Sequence, residues 1–182
     1  MADKRSFLKK GYLSYFVKNA AGEYIYTGSH YSLENNNYGG FAARVCVFCA
    51  VGLISAVLSG IIPAPGMLNC FYVIIPFILE ISLTFSVVWA AVRFLSNKKP
   101  LREYIYDATI KALPVRSLFA AIFSLVGIIS ETVFIILNGF GEKTLWCICL
   151  YFLKAASAAS MLLIRRFVQK SVWIKSDKQS LI

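Results

Sequence analysis

The sequence predicts an all-α integral membrane protein, a bundle of four transmembrane helices arranged as two antiparallel hairpins. Three observations predict it: four long apolar runs, helix breakers between the members of each pair, and basic residues confined to one side of the resulting topology. The 182 residues fit one domain; 58% are apolar and 15% carry charge. Soluble domains sit near about 45–50% apolar and about 25% charged. With a mean hydropathy of +0.66, the chain is neither a disordered segment nor the composition of a soluble enzyme.

The spans are expected at 41–62, 67–94, 115–140 and 144–167. Each is long enough for the ~20 residues that cross ~30 Å of hydrocarbon. A barrel would show alternating segments of about ten residues instead. Pro63, Pro65 and Gly66 break the chain between the first two spans, and Gly139, Gly141, Glu142 and Lys143 do so between the last two. Links this short make antiparallel neighbours.

Residues 1–40 are expected as a cytoplasmic segment, 41–167 as the transmembrane domain and 168–182 as a cytoplasmic tail. Lysine and arginine set the orientation. Six precede or open the first span (Lys4, Arg5, Lys9, Lys10, Lys18, Arg44) and six link the middle spans (Arg93, Lys98, Lys99, Arg102, Lys111, Arg116). Five more lie in the tail (Arg165, Arg166, Lys170, Lys175, Lys178), so 17 of 19 fall on one side. Both termini are therefore expected inside, in the cytoplasm, with anionic lipid headgroups attracted to the basic face. The net charge of +10 is explained by topology and calls for no nucleic acid. The first apolar run starts about forty residues in, with no cleavage site after it, so it is expected to stay in the protein.

Outside the spans, Leu13–Val17 and Glu23–Thr27 are rich in aromatic and β-branched residues around a turn-like Lys18–Gly22, the pattern of a β-hairpin. Asn35, Asn36, Asn37, Gly39 and Gly40 read as a flexible link. Leu101–Leu113 reads as a short amphipathic helix with Leu101, Ile105, Ala108 and Ala112 on one face. Phe167, Trp173 and Ile174 are expected to extend the last helix along the surface. Glu23-Tyr24-Ile25-Tyr26 recurs as Glu103-Tyr104-Ile105-Tyr106, each ahead of a hairpin ending in Arg-Phe, an echo that a duplication would produce.

Three charges fall inside the spans: Glu80, Glu131 and Lys154. Such charges face the bundle interior or a water-filled cavity. Ser117, Ala120, Ser124, Gly127, Glu131 and Asn138 form one small, polar stripe; Tyr151, Lys154, Ser157 and Ala158 form another; Pro76, Glu80 and Thr84 a third. Converging, they make an intramembrane polar site of Glu80, Glu131, Lys154, Tyr151 and Ser124, with Pro76 as a kink one turn before Glu80. One lysine does not neutralise two carboxylates, so either one carboxyl is protonated or a cation completes the site. The alternatives are an ion pair that fixes helix register and a charge that pairs with a partner's helix.

Cys46 and Cys49 form C-x-x-C within the first span, without the βαβ setting of a redox motif and with too few ligands for structural zinc. Cys70, Cys147 and Cys149 lie at matching depth near the outer face, where an oxidising side would permit a disulfide. The single histidine, His30, excludes a His-based triad, and no nucleotide-binding motif occurs, so no cofactor is expected.

Tyr24, Tyr26 and Gly28, the breaker Pro63–Gly66, then Asn69, Tyr72 and Pro76 resemble a family of small four-helix membrane proteins of Gram-positive anaerobic bacteria. The resemblance implies a bacterial plasma membrane and carries no site. Three function classes follow from the residues. The first is a non-catalytic membrane subunit or accessory protein that binds a larger complex. The second is a small oligomeric proton- or cation-coupled transporter or channel using Glu80, Glu131 and Lys154. The third is a membrane thiol redox protein. No enzyme activity is expected from the first two.

Overall fold

A computed structural model describes residues 15–18, 22–64, 66–67, 70–97, 99–139 and 144–176. Four long helices carry it: α1 (Tyr38–Ile61), α2 (Phe71–Leu95), α4 (Leu113–Asn138) and α5 (Thr144–Lys170), with a short α3 (Glu103–Ala108) between α2 and α4. All four long helices are long and apolar enough to cross a membrane. They form where a continuous apolar run leaves the backbone no better donor or acceptor than its own carbonyls and amides.

The helices pack in a ring. α1 lies against α2 and α5, and α4 lies against α2 and α5, so α2 and α5 oppose each other across the diagonal. The outward faces stay apolar, with Phe85, Trp89, Ile129, Ile136 and Phe152 exposed as lipid-facing residues would be. Trp89 and Trp146 are both exposed on the outer surface of the bundle.

Among the described residues, five strands accompany the helices. β1 (Phe16–Lys18) and β2 (Tyr24–Tyr26) make the expected hairpin, in tighter bounds. Lys18 ends β1, and the start of the expected strand at Leu13 and its turn at 19–21 lie outside the described residues. The second sheet was not expected. β3 (His30–Leu33) is its centre, flanked antiparallel by β4 (Leu101–Arg102) and β5 (Trp173–Ser176). It draws together the segment before α1, the link after α2 and the segment after α5. One end of the bundle therefore gathers the start of α1 and the ends of α2 and α5.

This sheet corrects several expectations. Trp173 and Ile174 do not extend the last helix; α5 ends at Lys170 and the chain returns as a strand on β3. Leu101–Leu113 is not one helix, because Leu101 and Arg102 are taken by β3, leaving α3 and a turn at Thr109–Ala112. The Asn-Gly link is ordered: Asn37 caps α1 by accepting from the Gly40 amide at 2.9 Å, and the helix begins at Tyr38. The repeated Glu-Tyr-Ile-Tyr is a strand in its first copy and a helix in its second, so the echo is no structural repeat. The turn expected at Gly141–Lys143 lies outside the described residues.

An aromatic core seals that end. Phe41 meets Phe94 at 5.4 Å, Phe167 at 5.2 Å and Trp173 at 5.7 Å between ring centroids. Tyr31 stacks on Tyr106 at 4.1 Å. Leu33, Leu101, Ile105 and Leu113 fill the space between these rings and the helices. Tyr26 clips the hairpin to α3: its hydroxyl donates to the Ser29 carbonyl and accepts from the Glu103 amide, both at 2.9 Å. Burial raises the pKa of the Tyr26 phenol. At the opposite end, Gly66 turns the chain with φ of +81°, and a Cβ there would lie 2.7 Å from the Phe134 ring. Only glycine meets both demands.

Candidate functional site

Glu80 and Lys154 meet across the bundle diagonal. Glu80 sits about 13 Å along α2 and Lys154 about 15 Å along α5 from their starts at the uncapped end, so the two reach the same depth. The Lys154 ammonium donates to Glu80 Oε2 as a salt bridge, and the Ser157 hydroxyl donates to Glu80 Oε1 at 2.9 Å. Glu80 is fully buried and Lys154 is 2% exposed. Both carboxylate oxygens thus have a donor, which is what a buried charge requires.

Neighbours hold the lysine. Its ammonium lies 4.9 Å over the Phe77 ring. Gly127 on α4 leaves room for it: a Cβ there would stand 3.3 Å from Lys154 Nζ. The Ser124 hydroxyl donates to the Lys154 carbonyl at 2.8 Å, tying α4 to α5 at this level. Pro76 is buried within α2, which runs on past it to Leu95. Proline has no amide hydrogen to donate back along the helix, so α2 loses one bond one turn before Glu80.

Glu131 is different. It is fully buried on α4, about 10 Å from that helix's last residue, and neither of its oxygens has a partner. Among the described residues, Thr84 Oγ1 is the other buried side-chain oxygen in that condition. Lys154, Tyr72 and Cys147 lie within electrostatic range of Glu131, yet the salt bridge of Lys154 goes to Glu80.

Of the expected site, the structure therefore joins Glu80, Lys154 and Ser124. Glu131 stands apart within the same interior. Tyr151 leaves the group: its hydroxyl pairs with Thr132 at 3.1 Å on the exposed seam of α4 and α5. Cys70 precedes α2, and Cys147 and Cys149 lie in the first turns of α5; all five thiols are free in this structure. Cys46 and Cys49 line an apolar groove of 250 Å³ between α1 and α2.

Ser157, Phe77 and Gly127 lie outside the site expected from the sequence. Ser157 and Gly127 were visible on the polar stripes. Phe77 was hidden, because an apolar residue in an apolar run carries no mark of the cation it covers.

Two larger cavities open at the sheet-capped end. One of 640 Å³ lies among His30, Asn97, Arg102, Tyr104 and Ser176. One of 390 Å³ lies among Glu34, Asn37, Phe41, Arg44, Phe167 and Lys170. None of the three cavities has Glu80, Glu131 or Lys154 in its lining. No family model matches the chain, and no curated protein or solved structure matches it.

Proposed function

We propose that this chain is a non-catalytic integral membrane protein that acts as a subunit or accessory of a larger membrane complex, with the sheet-capped end as its working surface. The observation that carries this reading is the closed Glu80–Lys154–Ser157 group. Its charges neutralise one another across the bundle and line none of the three cavities described above, an arrangement suited to locking α2 against α5 rather than to passing an ion. The two larger of those cavities open at the capped end, where three chain segments are tied into one sheet. In this reading the capped end faces the cytoplasm of a bacterial plasma membrane, with both termini inside, as the basic residues direct.

The experiment is purification of the tagged protein from its native membrane in mild detergent, followed by a native mass. A stoichiometric complex with a larger membrane protein is the expected outcome. A lone homo-oligomer would reject the subunit reading.

Glu131 favours a second reading, a small proton- or cation-coupled transporter. A buried carboxyl with neither oxygen bonded is the group in this chain best suited to take up and release a proton. Reconstituted vesicles test it: pH-dependent flux in the wild type that vanishes in Glu131→Gln would establish this reading. Equal flux in both would remove Glu131 from that role.

A further inference from the structure

The composite sheet has two faces with different work. Residues directly opposite one another in antiparallel strands project to the same face. Leu33 opposite Trp173, and Tyr31 opposite Leu101, belong to the face that joins the aromatic core. On the other face the register sets His30 opposite Arg102 on one side and Ser176 on the other. One polar row, Arg102–His30–Ser176, is thereby assembled from three distant segments of the chain.

That row lines the 640 Å³ cavity just beyond the end of α2, with Asn97 and Tyr104 also at its wall. Small-molecule sites run from about 300 to 1,000 Å³. The lining contains Arg102 and no Asp or Glu among the described residues. Arg102 is held in place: its guanidinium lies 5.2 Å over the Tyr26 ring, and Tyr26 is pinned by its two hydrogen bonds. Neither of the two ion pairs formed among the described residues engages Arg102. A positioned guanidinium presents a planar fork of donors that matches phosphate oxygens in pairs.

We infer that this cavity binds a phosphate-bearing anion, with the Arg102 guanidinium as its principal contact. The shared chemistry is the phosphate group, carried by a soluble ion or by an anionic lipid headgroup at the membrane surface. The site stands whether or not the chain has a protein partner.

The test is a thermal-shift titration of the full chain in uncharged detergent. The probes are inorganic phosphate and, separately, short-chain phosphatidic acid. A saturable rise in Tm with at least one probe is expected. The apparent affinity should fall about tenfold in Arg102→Gln and stay within about twofold in Arg166→Gln, an exposed cation outside the cavity. Arg102→Lys, which keeps the charge and loses the fork, should lose several-fold and serves if Arg102→Gln does not fold. A response to phosphate assigns a soluble anion, and a response to the lipid alone assigns the headgroup. No saturable response to either probe, an equal loss in Arg166→Gln, or full affinity in Arg102→Lys would each overturn the proposal.

Discussion

Glu80 and Glu131 are the same residue type, both fully buried, in neighbouring helices of one bundle. Glu80 receives an ammonium and a hydroxyl; Glu131 receives nothing. The difference teaches that burial alone does not say what a carboxyl does inside a membrane. Partner count says it. Glu80 belongs to a closed network that specifies how α2 and α5 face each other. Glu131 is a cost the fold carries, which makes it the place to look for a function or for a stabilising change.

The largest expected effect breaks the closed side of that comparison. Lys154→Met removes the cation and strands Glu80, which should destabilise the bundle by about 3–5 kcal/mol, measured as a loss in Tm or denaturant midpoint in detergent micelles. Glu131→Met should act in the opposite direction. Replacing an unsatisfied buried carboxyl with an apolar side chain of similar length should stabilise by about 1–3 kcal/mol, and a fall in Tm would show that Glu131 has a partner after all. Ser157→Ala sharpens the account of Glu80, since one carboxylate oxygen keeps its lysine while the other loses its hydroxyl. A loss of about 1–2 kcal/mol is expected, against no change for the same substitution at exposed Ser82.

The smallest effect lies outside the spans. Tyr26→Phe removes the nearer of two acceptors of the Glu103 amide, which keeps the Ser29 carbonyl at 3.1 Å, and should cost up to about 1 kcal/mol. The wild type's advantage should also depend on pH. Burial raises the folded pKa of Tyr26 above its unfolded value, so the folded state holds the phenolic proton more tightly. The stabilisation is whole below about pH 10 and is lost as pH rises through the folded value. Parallel stability curves for wild type and Tyr26→Phe from pH 7 to 11 measure it; curves that stay equally spaced would count against the buried phenol.

The helices were legible because each apolar run far exceeds what a soluble core element needs. The expected spans miss the observed ends by a few residues, as at 67–94 against Phe71–Leu95. The polar stripes were legible in large part: Ser117, Ala120, Ser124, Gly127 and Glu131 turn inward, as their spacing requires, while Asn138, the last residue of the helix, is exposed and donates to the Phe134 carbonyl at 3.0 Å. Spacing says which way a side chain points, not which side chain meets it. That Lys154 chooses Glu80 over Glu131 depends on the relative depth of three helices, which no single run records.

The second sheet was hidden for a different reason. Its strands hold four, two and four residues, and its partners Arg102 and Ser176 lie far along the chain from His30. Segments that short show no period long enough to distinguish from a loop. The two copies of Glu-Tyr-Ile-Tyr make the point, since identical residues form a strand beside β1 and a helix beside β4. Their surroundings decide.

The most direct test of the account is a double-mutant cycle on Glu80→Met and Lys154→Met, read by thermal shift in detergent, with a parallel cycle on Glu131→Met and Lys154→Met. The account predicts that each single change at the pair destabilises strongly while the Glu80–Lys154 double recovers much of the loss, and that the Glu131 cycle is close to additive. Additivity at Glu80–Lys154, or strong coupling at Glu131–Lys154 instead, would contradict the assignment of the lysine to Glu80 and of the orphan role to Glu131.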